Sequence, residues 1–293
     1  MHTFKHYLIT RFNLSEAAWP QDRGRPPPVL SDEWMSNRIE LFREYCLASV
    51  VAQTQKNFQW LIYMDISTAD VFRERIEALT AEHGFIRIEY INGMPSFLPA
   101  IRAHIQADAQ GCTHVITSRV DNDDLLHCDF MGAVQAQFSG QAFQAVDFTA
   151  GYALQIKPQV RIGKNEHLSN PFISLIEAND QPRVVFSKAH AHWIKTNDRS
   201  RYRIVDDPRR LWMMVIHAEN KANHFTGYGE VDWNVVGPQF MPSATLRQWF
   251  AERLVPVSQW PWQNLRSWWH VKSATAAKLL KRKLGRYRYR ADA

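Results

Sequence analysis

The chain has 293 residues, 45% of them hydrophobic and 22% charged, which supports a full core and excludes a disordered chain. No run of about 18 apolar residues occurs, so no spanning helix is expected. The formal net charge of +6 is local: the last 22 residues sum to +7 and everything before them to −1, which argues against a general nucleic-acid footprint. Cys46, Cys112 and Cys128 form neither a Cys-x-x-Cys pair nor an even set, and the first seven residues run into strand-like sequence with no apolar leader. These features predict reduced thiols and a cytoplasmic protein.

Residues 4–12 predict a first strand, followed by a long loop carrying Pro26-Pro27-Pro28. Ser31-Asp32 supplies helix-start chemistry, and Met35, Ile39, Phe42, Cys46 and Val50 recur at helical spacing to make one buried face. Residues 58–65 predict a second strand ending in Asp65, with a helix opening at 67–70 and Gly84 near its end. A third strand is expected at 86–91, a third helix at 96–110 with Pro99 in its first turn, and a fourth strand at 113–120. Three strand–helix alternations in a row indicate βαβ units, that is, a mostly parallel sheet with helices on both faces. Beyond Gly140 the pattern loosens into short strands at 143–148, 152–156, 182–187 and 211–216, the last ending in His217.

The fourth strand closes on Asp121-Asn122-Asp123-Asp124, three acids in four residues. Burying mutually repelling carboxylates costs several kcal/mol per ion unless a cation or strong donors share the site. Mg²⁺ or Mn²⁺ suits such a site, because these hard ions take oxygen ligands and keep positions open for phosphates. A solvated acidic turn is the plain alternative, since Asp and Asn are common turn residues. In a parallel sheet ligands bind beyond the carboxyl ends of the strands, and Thr10-Arg11, Asp65 and Asp121–Asp123 all fall at such ends.

Residues 48–68, with their Ser-x-x-x-Gln-Thr helix end leading to a strand that closes on Asp65, resemble family 2 glycosyltransferases, and Arg-Val-Asp-Asn-Asp-Asp resembles their Asp-x-Asp motif. With Leu-Ile-Thr-Arg-Phe-Asn near the start, the 170–177 segment and the 215–220 segment, the chain looks closest to the rhamnosyltransferase family, over about residues 5 to 225. The resemblance implies a GT-A fold, a nucleotide-sugar donor and a divalent cation. It gives Asp65 to the nucleobase, Asp121 to the ribose or the metal, and Asp123 to the metal, with Thr10 and Arg11 lining the nucleotide pocket; on charge alone, Arg11 or Arg119 is expected to add charge-assisted bonds to the phosphates. His217 resembles a late metal or diphosphate ligand, with His190 and His192 as alternatives. Departing from the family 2 pattern, the sequence has no obvious Glu-Asp pair for a general base; Glu177 is the candidate, with Asp147 and Glu166 as alternatives.

The expected organisation is a GT-A domain over 1–240, its nucleotide-sugar half at 1–125 and its acceptor half at 126–240, then a Trp-rich, basic helical extension over 241–293. Trp249, Trp260, Trp262, Trp268 and Trp269 followed by a cationic tail suit a helix on anionic lipid, through 272–293, or else a core-packed aromatic cluster with a solvated tail. The expected function is metal-dependent sugar transfer to a glycan or lipid-linked acceptor. A non-catalytic carbohydrate-binding protein on the same fold is the alternative. A nucleotidyltransferase is disfavoured because the loop after the first strand is Pro-rich, with Gly24 its only glycine.

Overall fold

The computed structural model describes residues 2–16, 29, 31–195, 199–217 and 224–287. The Pro26-Pro27-Pro28 loop, residues 218–220 of the last family-like segment, and the tail's Arg288 and Arg290 lie outside these.

The first half builds β1 (Phe4–Arg11), α1 (Asp32–Leu41), a π-helical turn (Phe42–Leu47), α2 (Ala48–Val51), β2 (Gln59–Asp65), α3 (Asp70–Thr80), β3 (Ile86–Ile91), α4 (Gly93–Asp108) and β4 (His114–Arg119). Side chains along β1 and β2 alternate between two cores, as the strand period of two requires. Leu8, Trp60, Ile62 and Met64 meet α1 and α3 on one face, whereas Tyr7, Ile9, Leu61 and Tyr63 meet Phe97, Ile101 and Ile105 of α4 on the other. Met35, Ile39, Phe42, Cys46 and Val50 are all buried, so the helical face was read correctly.

The second half adds β5 (Leu125–Leu126), α5 (Phe130–Gln135), β6 (Phe143–Phe148), β7 (Ala150–Gln155), β8 (Arg161–Glu166), β9 (Ser174–Ala178), β10 (Tyr202–Val205) and β11 (Trp212–Ile216), then α6 (Trp233–Phe240), α7 (Ala244–Arg253) and α8 (Pro261–Lys283). Seven strands form one sheet in the order β10-β6-β9-β4-β1-β2-β3, in which only β9 runs antiparallel to its neighbours. A second sheet, β5-β11-β7-β8, is four-stranded. This is the α/β, mostly parallel and helix-covered architecture of the GT-A expectation.

Two local expectations fail. α4 begins at Gly93, which takes φ +63°, so Pro99 lies past the first turn. Residues 182–187 form a bend and a 3₁₀ turn (Val185–Ser187) in place of a strand. There the backbone N–H groups of Arg183 and Val184 bond the Glu177 carboxylate and that of Val185 bonds Thr117 Oγ1, so side chains take the donors a ladder would use.

Candidate active site

Because β4, β1 and β2 are adjacent and parallel, their carboxyl ends share one rim. The chain leaving β1 is strapped along it. Asn13 accepts from Asp65 N at 3.1 Å and donates to Thr68 Oγ1 at 2.9 Å. Asp65 Oδ2 accepts from Ser15 N (3.0 Å) and Ser15 Oγ (2.6 Å), and its Oδ1 accepts from Ser67 N (2.9 Å). Burial alone would raise the Asp65 carboxyl, but these Ser15 and Ser67 bonds bring it below the usual carboxylate range. Ser15 O accepts in turn from Met94 N, beside Gly93, where a Cβ would stand 2.8 Å from that oxygen.

The acidic turn is pinned to the same rim by Asn122, which donates to Phe12 O at 2.9 Å. Asp123 is buried, and its Oδ2 accepts from Arg38 Nη1 at 2.5 Å and contacts His217 Nε2 at 2.9 Å. Burial pushes the Asp123 carboxyl up, but the His217 bond and the Arg38 charge carry it below its ordinary value. Asp124 Oδ1 accepts from Val215 N at 2.8 Å; burial, then the charges of Asp123 and Asp121, push its carboxyl well above the usual range. Asp121 is the accessible member, its side chain 39% exposed with Arg119 Nη2 at 3.5 Å. The Arg119 guanidinium is buried over the Phe186 ring.

Rim and cluster thus unite Arg11, Asp65, Arg119, Asp121, Asp123 and His217. β11 delivers His217: it pairs with β5 next to the acidic turn, so the small sheet brings the histidine to a carboxylate of the large one. Thr10 is a correction. Its hydroxyl is fully buried, donating to Val120 O and accepting from Trp60 Nε1, so it braces the rim from beneath and lines no pocket.

Glu177 is a second correction. β9 is antiparallel to β4 and pairs Glu177 with Val115, at the opposite end of β4 from the acidic turn. Its two oxygens accept from Arg183 N (3.0 Å) and Val184 N (2.7 Å), holding a bend in which Val184 takes φ +65°. Burial raises its carboxyl to about 7. Between the unfolded value of 4.5 and about 7 the folded chain therefore keeps a proton that the unfolded chain has released, and stability falls as pH rises through that window. The loss amounts to about 3 kcal/mol and is complete above pH 7. Glu177→Gln should remove that component. Urea unfolding at pH 5 and pH 8 checks it, and a pH dependence equal to wild type would contradict the account.

Of the alternatives, Asp147 and Glu166 are engaged elsewhere, whereas His190 lies close enough to Asp121 and Arg119 to feel their charges. Asp147 accepts from Ser169 N, Asn170 Nδ2 and Tyr202 Oη. Glu166 bonds Arg210, Tyr228 and Lys272. His190 Nδ1 contacts Ser169 O at 2.7 Å, and His192 lies exposed on a 3₁₀ turn (His190–Lys195). The residue that sequence reasoning missed is Arg38. Its signal was present, since Met35, Arg38 and Phe42 share a helical stripe, and a lone cation on a buried face needs an anion partner.

The donor set suits a hard divalent ion: two carboxylates with one residue between them, Asp121 accessible and Asp123 buried at the same turn. Asp121 and Asp123 would hold it. Among the described residues, however, the group of three ligand side chains lying within 4.8 Å of one another is His127, Cys128 and Asp129, so Asp121, Asp123 and His217 are less compact than a closed triad. His127 Nδ1 in that group already accepts from Asp129 N, and the Asp129 carboxylate is shared between Thr54 and Arg209.

Beyond the parallel strands the chain thus gathers an acidic cluster braced by arginines, and the family it belongs to is one of glycosyltransferases. The chain belongs to the family described as "Putative rhamnosyl transferase", whose model matches residues 5–227. No curated protein matches it. Among solved structures it is similar to S. aureus TarS residues 1–349 in complex with UDP, at 11% identity and TM-score 0.43 over 72% of this chain. A form of the same protein with UDP-GlcNAc gives 9% identity and TM-score 0.40 over 75% of this chain and 62% of that one. A "putative nucleotide-diphospho-sugar transferase" from Desulfovibrio desulfuricans gives 11% and 0.34, covering 74% of this chain and 80% of that one. The chain spans 60% of the first TarS structure.

Proposed function

We propose that the protein transfers a sugar, rhamnose by the family's description, from a nucleoside diphosphate to a glycan or lipid-linked acceptor with help from Mg²⁺ or Mn²⁺. The observation that carries this reading is the pairing of accessible Asp121 with buried Asp123 on the strand rim, flanked by Arg38, Arg119 and His217. Asp121 and Asp123 hold the cation; when bound, it stabilises the charge that develops on the departing diphosphate. Arg11 and Arg119 supply charge-assisted bonds to the phosphates, and His217 is a ligand of the cation or the diphosphate. Asp65 serves the nucleobase side, where it also orders Ser15.

The acceptor enters a groove running from His217 past Asn37, Glu40 and Glu44 to Trp249, whose partly exposed ring offers a face on which a sugar can stack. The setting in this reading is cell-surface polysaccharide synthesis by a cytoplasmic enzyme working at the inner membrane face. Among the described residues, no helix is long and apolar enough to cross a membrane.

Calorimetric titration of UDP, GDP, dTDP and CDP and their sugar conjugates, with Mn²⁺ and with chelator, tests the proposal. One nucleotide is expected to bind in a cation-dependent way. Absence of binding under both conditions would hand the fold to the carbohydrate-binding reading.

A further inference from the structure

The last long helix has two opposed faces of different character. Its inner face packs on the small sheet: Ser267 and Val271 are buried, Gln263 donates to Phe225 O, and Asn264 Oδ1 accepts from Gly229 N. Three of the tail's cations also turn inward. Lys272 reaches Glu166 at 3.1 Å, Lys278 donates to Leu168 O at 2.8 Å, and Arg282 donates to Tyr202 O at 2.7 Å with its guanidinium over the Tyr202 ring. These cations fasten the helix to the body.

The outer face is apolar. Trp262, Leu265, Trp269, Ala276 and Leu280 recur at spacings of three, four, seven and four residues, which a 3.6-residue turn gathers into a stripe about 60° wide, opposite Ser267 and Val271. Trp262 is 82% exposed, Trp269 67%, Leu280 56% and Leu265 55%. A solvated helix face has no reason to carry two open indoles and two open leucines. Arg266, His270 and Lys281 are exposed along one flank, and α8 contains no Asp or Glu.

We infer that this outer stripe of α8 lies in the interface of an anionic lipid bilayer, parallel to its plane, with the indoles at headgroup depth and the flanking cations on the phosphates. Charge selects the occupant. A second copy of the chain seated on this stripe would set two acid-free, cationic helices side by side, whereas an anionic surface complements them. The contact is therefore assigned to 262–280, and three of the eight cations of 272–293 serve internal anchoring. Because α8 packs on β8 of the sheet whose β11 carries His217, the stripe fixes the acceptor side of the site relative to the membrane.

The test is co-sedimentation of the full chain with sucrose-loaded phosphatidylcholine vesicles, with and without phosphatidylglycerol. Wild type should sediment with the anionic vesicles and shift its tryptophan emission to the blue. Trp262→Ser combined with Trp269→Ser should weaken binding at least about tenfold. Both side chains are exposed, so circular dichroism should be unchanged. No binding by wild type, or equal binding by the double variant, would overturn the inference. So would a dimer that the double variant dissociates with no vesicle binding, since that would assign the stripe to a second copy. Nucleotide titration in vesicle-free buffer tests the transferase reading separately, so either can fail alone.

Discussion

Asp123→Asn should lower transfer by on the order of 10²–10³-fold and also destabilise the fold. From sequence alone, removing one of three neighbouring acids relieves repulsion and should leave folding nearly intact. The structure changes that expectation, because Asp123 is the partner of buried Arg38 as well as of His217. Taking its charge away leaves a guanidinium out of water without a full counter-charge, and breaking such a pair costs about 3 kcal/mol, less where Asn keeps one hydrogen bond. Adding Arg38→Met to Asp123→Asn should recover much of the stability and none of the transfer. Thermal unfolding of the four members of that cycle, with Mn²⁺-dependent nucleotide titration of each, separates the two roles. Normal turnover by Asp123→Asn in Mn²⁺ would remove the residue from the mechanism.

Gly151→Ala should be strongly destabilising for a single added methyl. Gly151 on β7 stands in register with Trp212 on β11, and a Cβ there would overlap the Trp212 indole. The ring cannot step aside: it is fully buried, stacks on Phe172 at 5.0 Å and 12°, and donates Nε1 to Phe148 O at 2.7 Å. Overpacking at so fixed a ring should cost about 3 kcal/mol. His217 leaves the same strand, so the variant's cation-dependent nucleotide affinity should fall with its stability. A melting temperature within a degree or two of wild type would show that the sheet yields more easily than this packing implies.

The first four strands, their helices and the shared rim were legible because each rests on local periodicity. Residues such as Trp60, Ile62 and Met64 are read at a period of two, and Met35, Ile39 and Phe42 at helical spacing. Glu177 misled for the opposite reason: an acid after an apolar run marks a strand end only if the strand's direction is known, and β9 is the reversed member of its sheet. Thr10 misled because sitting at a strand terminus does not say which face its hydroxyl takes. Arg38 was missed because its partner lies 85 residues away: the buried stripe shows that the cation needs an anion but not which one. The extension's tryptophans were visible as a cluster, but only the packing of α8 separates buried Trp260 from open Trp262 and Trp269.

β6 ends at Phe148 and β7 begins at Ala150, so a single residue, Thr149, joins the two sheets. Trp212, from the small sheet, bonds Phe148 and stacks on Phe172 across the same joint. A hinge needs slack, and here there is none. Asp123, from the turn after a strand of one sheet, and His217, from the end of a strand of the other, already meet at 2.9 Å across this joint. A change that loosens the joint should therefore be felt as misalignment between Asp123 and His217 before it is felt as unfolding.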